Sequence, residues 1–243
     1  MALRFDILTT FPEMFGHEAP AALGLSIPAR ARAAGLVEWH ATNIRDFAEN
    51  KHSKTDDRPF GGGPGMVMMC QPIWDAVHAV EARDPRPATR ILLTPQGVPL
   101  KQRLVEELAR KPRLLLIAGH YEGLDERVIE KLAPMEVSLG DYVLSGGELG
   151  AMVLMDAIIR KLPGALGHED SSEQDSFSAR SPDSTVLLDC PHYTKPREWM
   201  GLSVPEILLS GDHGRIAKWR QERMLERTKT RRPDLLGPSE AGG

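Results

Sequence analysis

Two glycine-rich segments could bring the backbone of this chain into contact with a ligand. Residues 56–66 hold four glycines within five positions, and residues 139–149 contain a further glycine pair. Glycine adopts positive φ and lets backbone groups approach a ligand closely. Taken alone, the first segment fits a mobile surface loop as well as a ligand contact. The second follows a predicted strand and opens a predicted helix, which is where ligands bind in α/β sheets.

Three further groups could supply side-chain chemistry. Residues 117–127 join a small backbone turn to a carboxylate, Asp175 lies in a Gln-Asp-Ser-Phe run, and His192 lies beside Tyr193. On composition alone, an acid in a polar segment is normally just solvated, and such a histidine is normally packing. Neither glycine-rich segment contains GxGxxG, or GxxxxGK followed by Ser or Thr. The sequence therefore predicts neither a dinucleotide-binding Rossmann site nor an NTPase site.

Predicted strands and helices alternate around these segments. Apolar runs predict strands over residues 4–9, 90–94, 113–118 and 135–139. Helical periodicity predicts helices over residues 71–82, 100–110, 124–132 and 147–161. This alternation predicts an α/β domain with a mostly parallel sheet.

A change of composition divides the chain. Residues 168–184 are crowded with Ser, Asp and Glu and have almost no apolar content, which is typical of a linker. We predict an α/β domain over residues 1–162, a flexible linker over 163–184 and a small helical domain over 185–243.

The overall composition predicts a cytoplasmic protein. The 243 residues are 41% hydrophobic and 26% charged, and no apolar run is long enough to span a bilayer. Arg4 and Asp6 interrupt any apolar segment that could act as a signal peptide. Cys70 and Cys190 are too few for a disulfide framework and lack the paired spacing of a zinc site, so both are predicted to be reduced and structural.

Positive charge is concentrated near the end of the chain. Residues 211–232 contain eight basic and three acidic residues, a local charge of +5, whereas the whole chain carries −4 and the remainder therefore −9. Taken alone, a solvated helix face is the better interpretation of such a segment. However, Arg220, Arg223 and Arg227, here called the arginine row, share one side of a predicted helix and could meet several phosphates together.

In order and spacing, these segments resemble the bacterial tRNA (guanine-N1)-methyltransferases of the SPOUT superfamily over nearly the whole chain. The motifs that carry the resemblance are DDRPFGGGPGM, LLTPQG, AGHYEGLDERVI, SLGDYVLSGGEL, QDSF, LLDCPHYTKP, LLSGDHGRIAKWR and RRPDLL. Eight ordered motifs are far more specific than a single glycine loop. The resemblance implies methylation of N1 of the guanosine immediately 3′ of the anticodon in tRNA, with S-adenosylmethionine as the methyl donor.

The resemblance also implies a fold and a donor site. The parallel sheet would contain a deep trefoil knot, an exception to the rule that chains do not thread their own loops. The donor would lie bent among residues 93–97, 118–123 and 139–147. The residues expected to contact it are Leu93, Thr94, Pro95, Gly119, Tyr121, Glu122, Ser138, Leu139, Gly140, Tyr142, Leu144, Gly146 and Gly147.

Catalytic roles follow from the same resemblance. Guanine N1 carries a proton that must leave, and a carboxylate can remove it while a cation stabilises the charge that develops on O6. The matching residues are Asp175 as base and Arg160 as cation. Contacts to the tRNA anticodon stem-loop would come from Asp56, Arg58, His192 and the arginine row. The family further implies a homodimer with shared active sites, and suggests magnesium as a second cofactor.

The chain departs from the common family pattern in a few positions. His120 stands where many members have arginine, so a fixed cation is replaced by a group that titrates near neutrality. Leu92 and Phe60 stand where tyrosine is frequent, which removes two hydroxyls. Two alternatives stay open: a SPOUT methyltransferase with another RNA target, and a catalytically silent RNA-binding protein. The intact QDSF and glycine segments argue against the second.

Overall fold

The computed structural model describes residues 2–16, 21–166, 175–178 and 185–236. The chain divides into two compact units, Met1–Gly167 and His168–Gly243. The finer division, in which a linker over residues 163–184 separates two domains, stays a prediction.

The first unit alternates strands and helices. Its elements are β1 (Leu3–Thr9), α1 (Ser26–Ala33), β2 (Val37–Asn43), β3 (Asp56–Asp57), β4 (Val67–Met68), α2 (Cys70–Glu81), β5 (Thr89–Pro99), α3 (Gln102–Leu108), β6 (Arg113–Ala118), α4 (Glu126–Leu132), β7 (Met135–Ser138) and α5 (Gly147–Ile159). The predicted strands and helices are confirmed, with the largest shift at the end of β5. Strand β2 and helix α1 were not predicted.

Five strands form a sheet in the order β2-β1-β6-β5-β7, and every pairing in it is parallel. Strand β6 lies at the centre, and all six of its residues are buried. Its apolar run fits this position, because a parallel strand covered on both faces needs apolar side chains on both. The predicted α/β class with a mostly parallel sheet is thus confirmed.

The core has two halves, one on each face of the sheet. Leu114 and Leu116 of β6 pack in one cluster with residues of α1, α3 and α5. Leu115 and Ile117 pack in the other with residues of α2 and α4. Alternate side chains of a strand point to opposite faces, so the unit has three layers, helix on sheet on helix.

A buried arginine ties the amino end of the sheet together. The Nε atom of Arg113, the first residue of β6, donates to Oδ2 of Asp6 in β1 at 2.7 Å, and both side chains are 1% exposed. Its remaining N–H groups donate to the carbonyls of Val80, Glu81, Asp84 and Arg86. Because the guanidinium meets partners on every side, its burial is compensated, and deleting it would leave several buried acceptors unpaired.

The second unit is built around one long helix. Its described elements are a hairpin of β8 (Glu198–Trp199) and β9 (Leu202–Ser203), 3-10 turns at Glu206–Leu209 and Pro233–Leu235, and α6 (His213–Arg231). Asp212 caps α6 by accepting from the N–H of Arg215 at 3.0 Å. The expected small helical domain thus also contains a hairpin. Across the described parts of both units, no helix combines the length and apolar character that crossing a membrane requires.

Candidate functional site

A cavity of about 360 Å³ lies at the carboxyl ends of β5, β6 and β7 and the start of α5. This is where parallel α/β sheets bind ligands, and the volume falls in the range of about 300–1,000 Å³ that is usual for small-molecule sites. Three segments surround it, and their lining residues fall within 92–96, 119–124 and 136–147.

The first wall is an irregularity in β5. Val137 of β7 pairs with both Leu93 and Val98, so residues 94–97 loop out between the two pairings. Thr94, Pro95 and Gln96 thereby line the cavity. A Cβ added to Gly97 would lie 2.5 Å from the carbonyl carbon of Glu136, so the return of the chain to β7 requires glycine. The LLTPQG motif is therefore a bulge that shapes the cavity.

The second wall is the turn after β6. Tyr121 has a φ of +62°, and the N–H of Gly123 donates to the His120 carbonyl at 3.2 Å. The glycine-rich loop of residues 61–66 is fastened to this turn, because the N–H of Glu122 donates to the Met66 carbonyl at 3.0 Å. A Cβ on Gly65 would lie 2.6 Å from Cγ of Glu122. The structure thus places the first glycine-rich segment against a residue of the cavity.

The third wall runs from β7 into α5. Ser138 Oγ donates to the Gly140 carbonyl at 3.1 Å, and the N–H of Gly147 donates to the Gly119 carbonyl at 2.8 Å. A Cβ on Gly147 would lie 2.8 Å from Cα of Ala118, so only glycine lets α5 begin this close to β6. The second and third walls therefore meet backbone to backbone.

A buried carboxylate reinforces that junction. Glu148, in the first turn of α5, is 2% exposed. Its Oε1 accepts from Thr9 Oγ1 at 2.5 Å, and its Oε2 lies 2.7 Å from His120 Nε2. The His120 ring also packs against Phe11, with ring centroids 5.0 Å apart. One side chain thus connects the ends of β1 and β6 to the start of α5. Glu148 was not predicted from the sequence, although an acid in the first turn of an otherwise largely apolar helix is a usable signal.

The charge of the cavity is negative. Three carboxylates, Glu122, Glu126 and Glu136, belong to its lining, and among the described residues that line it there is no lysine or arginine. Such a lining favours a ligand that carries positive charge over a phosphate-bearing one. This agrees with the absence of phosphate-binding motifs from the sequence.

The expected donor contacts fall almost entirely in this cavity. Leu93, Thr94, Pro95, Gly119, Tyr121, Glu122, Ser138, Leu139, Tyr142, Leu144, Gly146 and Gly147 line it. Gly140 is not among the lining residues, and its N–H and carbonyl both bond to Ser138 Oγ. Gln96, His120 and Glu136 line the cavity but were not predicted as donor contacts. That these residues bind the donor stays a prediction.

The two residues expected to catalyse the reaction belong to different units. Arg160 is half-buried and is the C-cap residue that directly follows α5. Asp175 lies in residues 175–178 of the second unit, where the N–H of Phe177 donates to the Leu187 carbonyl at 3.0 Å and Ser176 Oγ accepts from the N–H of Asp189 at 2.9 Å. Those bonds hold residues 175–177 against the start of the LLDCPHYTKP motif. Both catalytic roles stay predictions.

The three residues outside the arginine row that are expected to contact RNA differ in their exposure to solvent. Asp56 is 9% exposed and pairs in β3 with Met68, whereas Arg58 is exposed. His192 is exposed, and its Nε2 lies 2.8 Å from Oδ2 of Asp189. Arg58 and His192 are therefore accessible to a polyanion, and Asp56 is much less so.

The arginine row lies on α6, as predicted. Arg220 is exposed, whereas Arg223 and Arg227 are half-buried and Arg223 pairs with Glu226. Other exposed cations on the same helix are Arg215, Lys218, Lys229 and Arg231. At about 3.6 residues per turn, Arg231 lies on the side of the row, whereas Arg215, Lys218 and Lys229 lie on the other side of the helix. All four are more accessible than Arg223 and Arg227.

Both cysteines are free, as the sequence predicted. Burial raises the pKa of the Cys70 thiol, helped by the neighbouring Asp125, and burial with Asp189 raises the pKa of the Cys190 thiol. Both thiols are therefore poor nucleophiles near neutral pH.

Comparison with known proteins agrees with the resemblance read from the motifs. The profile of the family described as tRNA (Guanine-1)-methyltransferase TrmD matches residues 3–238. A tRNA (guanine-N(1)-)-methyltransferase of Exiguobacterium is 51% identical, with 96% of this chain and 92% of that protein covered. Proteins of the same name from Chloroflexus aurantiacus and Halorhodospira halophila are 51% and 52% identical, covering 99% and 98% of this chain and 91% and 86% of those proteins.

Proposed function

Because the chain belongs to the tRNA (guanine-1)-methyltransferase family, we propose that it transfers the methyl group of S-adenosylmethionine to N1 of the guanosine immediately 3′ of the anticodon in tRNA. The observation that carries the proposal is the negatively charged cavity at the carboxyl ends of β5, β6 and β7. The family match extends through both units, including the basic helix α6.

The cavity fits this donor in charge and in wall chemistry. S-adenosylmethionine carries a sulfonium that supplies the methyl group and becomes a neutral thioether, an excellent leaving group. The positive charge of the sulfonium suits a lining with Glu122, Glu126 and Glu136. Backbone N–H and C=O groups of the glycine-rich walls would meet its adenine and ribose, while Leu139 and Ile129 offer apolar contact. In this proposal the walls belong to the trefoil knot of the SPOUT fold.

Asp175 and Arg160 would handle the proton and charge of the target base. Asp175 accepts the N1 proton as the methyl arrives, and Arg160 stabilises the negative charge on O6. A carboxylate is a weak base, so positioning and exclusion of water must supply much of the effect. As the bond between the methyl group and sulfur breaks, a neutral thioether leaves without help from a Lewis acid, so magnesium is not part of the proposed chemistry.

Methylation of unmodified tRNA transcripts with labelled donor, followed by nucleoside analysis, tests the proposal. Formation of 1-methylguanosine is expected. A methylated ribose, or another methylated base, would point to a different RNA target, and donor binding without any methylation would point to a silent RNA-binding protein.

Two substitutions test the assigned roles. Asp175→Ala and Arg160→Ala should each lower the single-turnover rate by roughly a hundredfold or more while leaving donor affinity nearly unchanged. Ser178→Ala and Lys161→Ala, at neighbouring positions, are matched controls that should keep the rate within about threefold. If Asp175→Ala or Arg160→Ala keeps a normal single-turnover rate, the substituted residue has no part in the mechanism.

An exposed apolar face beside the cavity supports a homodimer. Val143, Leu149 and Val153 are 82%, 53% and 52% exposed, and the last two lie one helical turn apart on α5. Large apolar side chains left exposed one turn apart on a helix mark a protein contact. A second copy of the chain would cover them, and its second unit would bring Asp175 to the cavity. We expect this dimer to work in the cytoplasm, where its tRNA substrate is found.

Complementation tests the shared site. Asp175→Ala removes the base, and Gly146→Trp fills the cavity, so each homodimer should be inactive. A purified heterodimer has one complete site and should show about half of wild-type activity, or about a quarter after random mixing of equal amounts. An inactive heterodimer whose Asp175→Ala subunit binds donor would show that base and cavity belong to one chain.

A further inference from the structure

The carboxylate of Glu148 lies behind the cavity rather than in it. The side chain of Glu148 is 3% exposed and Glu148 is not among the lining residues, whereas its partner His120 is one of them. We propose that Glu148 is a positioning residue for the donor pocket and that it acts through the His120 ring. This inference rests on the proposed use of the cavity for S-adenosylmethionine.

Two backbone contacts and one side-chain contact join the walls at this point. Gly147 N–H donates to the Gly119 carbonyl, and His120 pairs with Gly146 in an isolated antiparallel bridge. All four of these residues line the cavity. The bond between His120 and Glu148 adds a third link, which fixes the ring at the same junction. A change in this link therefore changes the separation of two cavity walls.

The ring is held from several sides. A Cβ on Gly146 would lie 2.5 Å from Oε2 of Glu148, so glycine leaves the space in which the ring and the carboxylate meet. Phe11 packs against His120, and the backbone N–H of Phe11 donates to Thr9 Oγ1 at 2.9 Å. Thr9 in turn donates to the other oxygen of Glu148. The carboxylate cannot rotate without losing a hydrogen bond at each oxygen, so the ring it holds has one orientation.

A double-mutant cycle on donor affinity tests this coupling. S-adenosylmethionine binding is measured by calorimetry for the full chain carrying Glu148→Leu, His120→Leu or both. Each single substitution should weaken binding about tenfold, the scale of losing one buried hydrogen-bond partner. If Glu148 acts through His120, the double variant binds about as well as the weaker single variant. Losses that multiply to about a hundredfold would overturn the proposal.

Controls separate positioning from a merely structural role. Glu148→Gln keeps the volume and can still accept from Thr9 and donate to His120, so it should bind donor within about threefold of wild type. Asp156→Leu makes a matched acid-to-leucine change on the exposed side of α5 and should leave affinity unchanged. The affinity of Glu148→Leu for tRNA, measured without donor, should stay within about twofold of wild type. A parallel loss of tRNA binding would indicate general damage and overturn the proposal.

The experiment also covers a variant that does not fold, and it separates failure of the proposed function from failure of this inference alone. Should Glu148→Leu fail to fold, Glu148→Asp takes its place, because it keeps the charge but withdraws the carboxylate by one methylene. Its double-mutant cycle with His120→Leu is judged by the same criterion: additive losses of donor affinity overturn the proposal. If the wild-type chain binds no S-adenosylmethionine, the proposed function fails and this inference fails with it. If the wild type binds donor and the cycle is additive, only the inference fails.

Discussion

Gly97→Ala should destabilise the first unit more than its single methyl group suggests. The added Cβ would lie 2.5 Å from the carbonyl carbon and 2.7 Å from the carbonyl oxygen of Glu136. These are backbone atoms of β7, which cannot rotate away as a side chain can. Forcing a methyl group into such a site costs about 1–3 kcal/mol. For a unit of this size, about 2–4 °C of melting temperature is lost per kcal/mol, so the midpoint should fall by about 2–12 °C.

The matched control is Gly150→Ala in α5. There the added Cβ would lie 3.5 Å from Leu93 Cδ1, an ordinary contact, and alanine favours a helix over glycine by about 0.5–1 kcal/mol. Its midpoint should be unchanged or raised by about 1–4 °C. Thermal unfolding followed by circular dichroism measures both variants under one condition. A Gly97→Ala midpoint within about 1 °C of wild type would refute the argument that backbone contact at the bulge requires glycine.

Four other expectations concern charge. Arg113→Met should lower the free energy of unfolding by about 3–5 kcal/mol in urea titrations while donor affinity is retained, because the buried guanidinium lies at the amino end of the sheet and the cavity at the carboxyl end. Hydrogen bonds from Arg90 lower the pKa of Glu81 from 4.5, so the stability that Glu81 adds is full above that pH and is lost as the pH falls below it. Glu81→Gln should therefore unfold about 0.5–1 kcal/mol more easily than wild type at neutral pH, and this difference should shrink as the pH falls below 4.5. Glu136→Gln should weaken S-adenosylmethionine binding about threefold to tenfold in calorimetry but change S-adenosylhomocysteine binding little, because only the former has a charged sulfur. Replacing all three residues of the arginine row with alanine should weaken tRNA binding and flatten its salt dependence, and an unchanged slope in salt titrations would place the tRNA elsewhere.

The central strands could be predicted because their residues are apolar on both faces. Strand β6 is a continuous buried run, so composition alone identifies it. Strand β2 was missed although Val37 and Trp39 alternate with Glu38 and His40, a pattern typical of an edge strand. The hairpin at Trp199 was missed because its strands are two residues long and exposed, too short for periodicity to register.

The site was predictable where it consists of glycine and not where it depends on distant pairings. Residues 94–97 bulge because Val137 pairs on both sides of them, and no local pattern in β5 reveals that register. The bond between Glu148 and His120 joins residues 28 positions apart, and Thr9 is 139 positions from Glu148. Such contacts exist only after the strand ends have been brought together by the sheet.

The strand order also determines when the sheet can form during synthesis. Strand β6 lies between β1 and β5, yet it is the last of the three to be made. From the end of β2 at Asn43 to the end of β6 at Ala118 the ribosome adds 75 residues, which takes roughly 4–15 s. Throughout that interval β1 has one unpaired edge, and β5 emerges before the strand that belongs between them. The nascent chain must therefore delay a direct pairing of β1 with β5. A pause in translation before Arg113 would lengthen the period in which this misfolded pairing competes with the native pairing of both strands with β6.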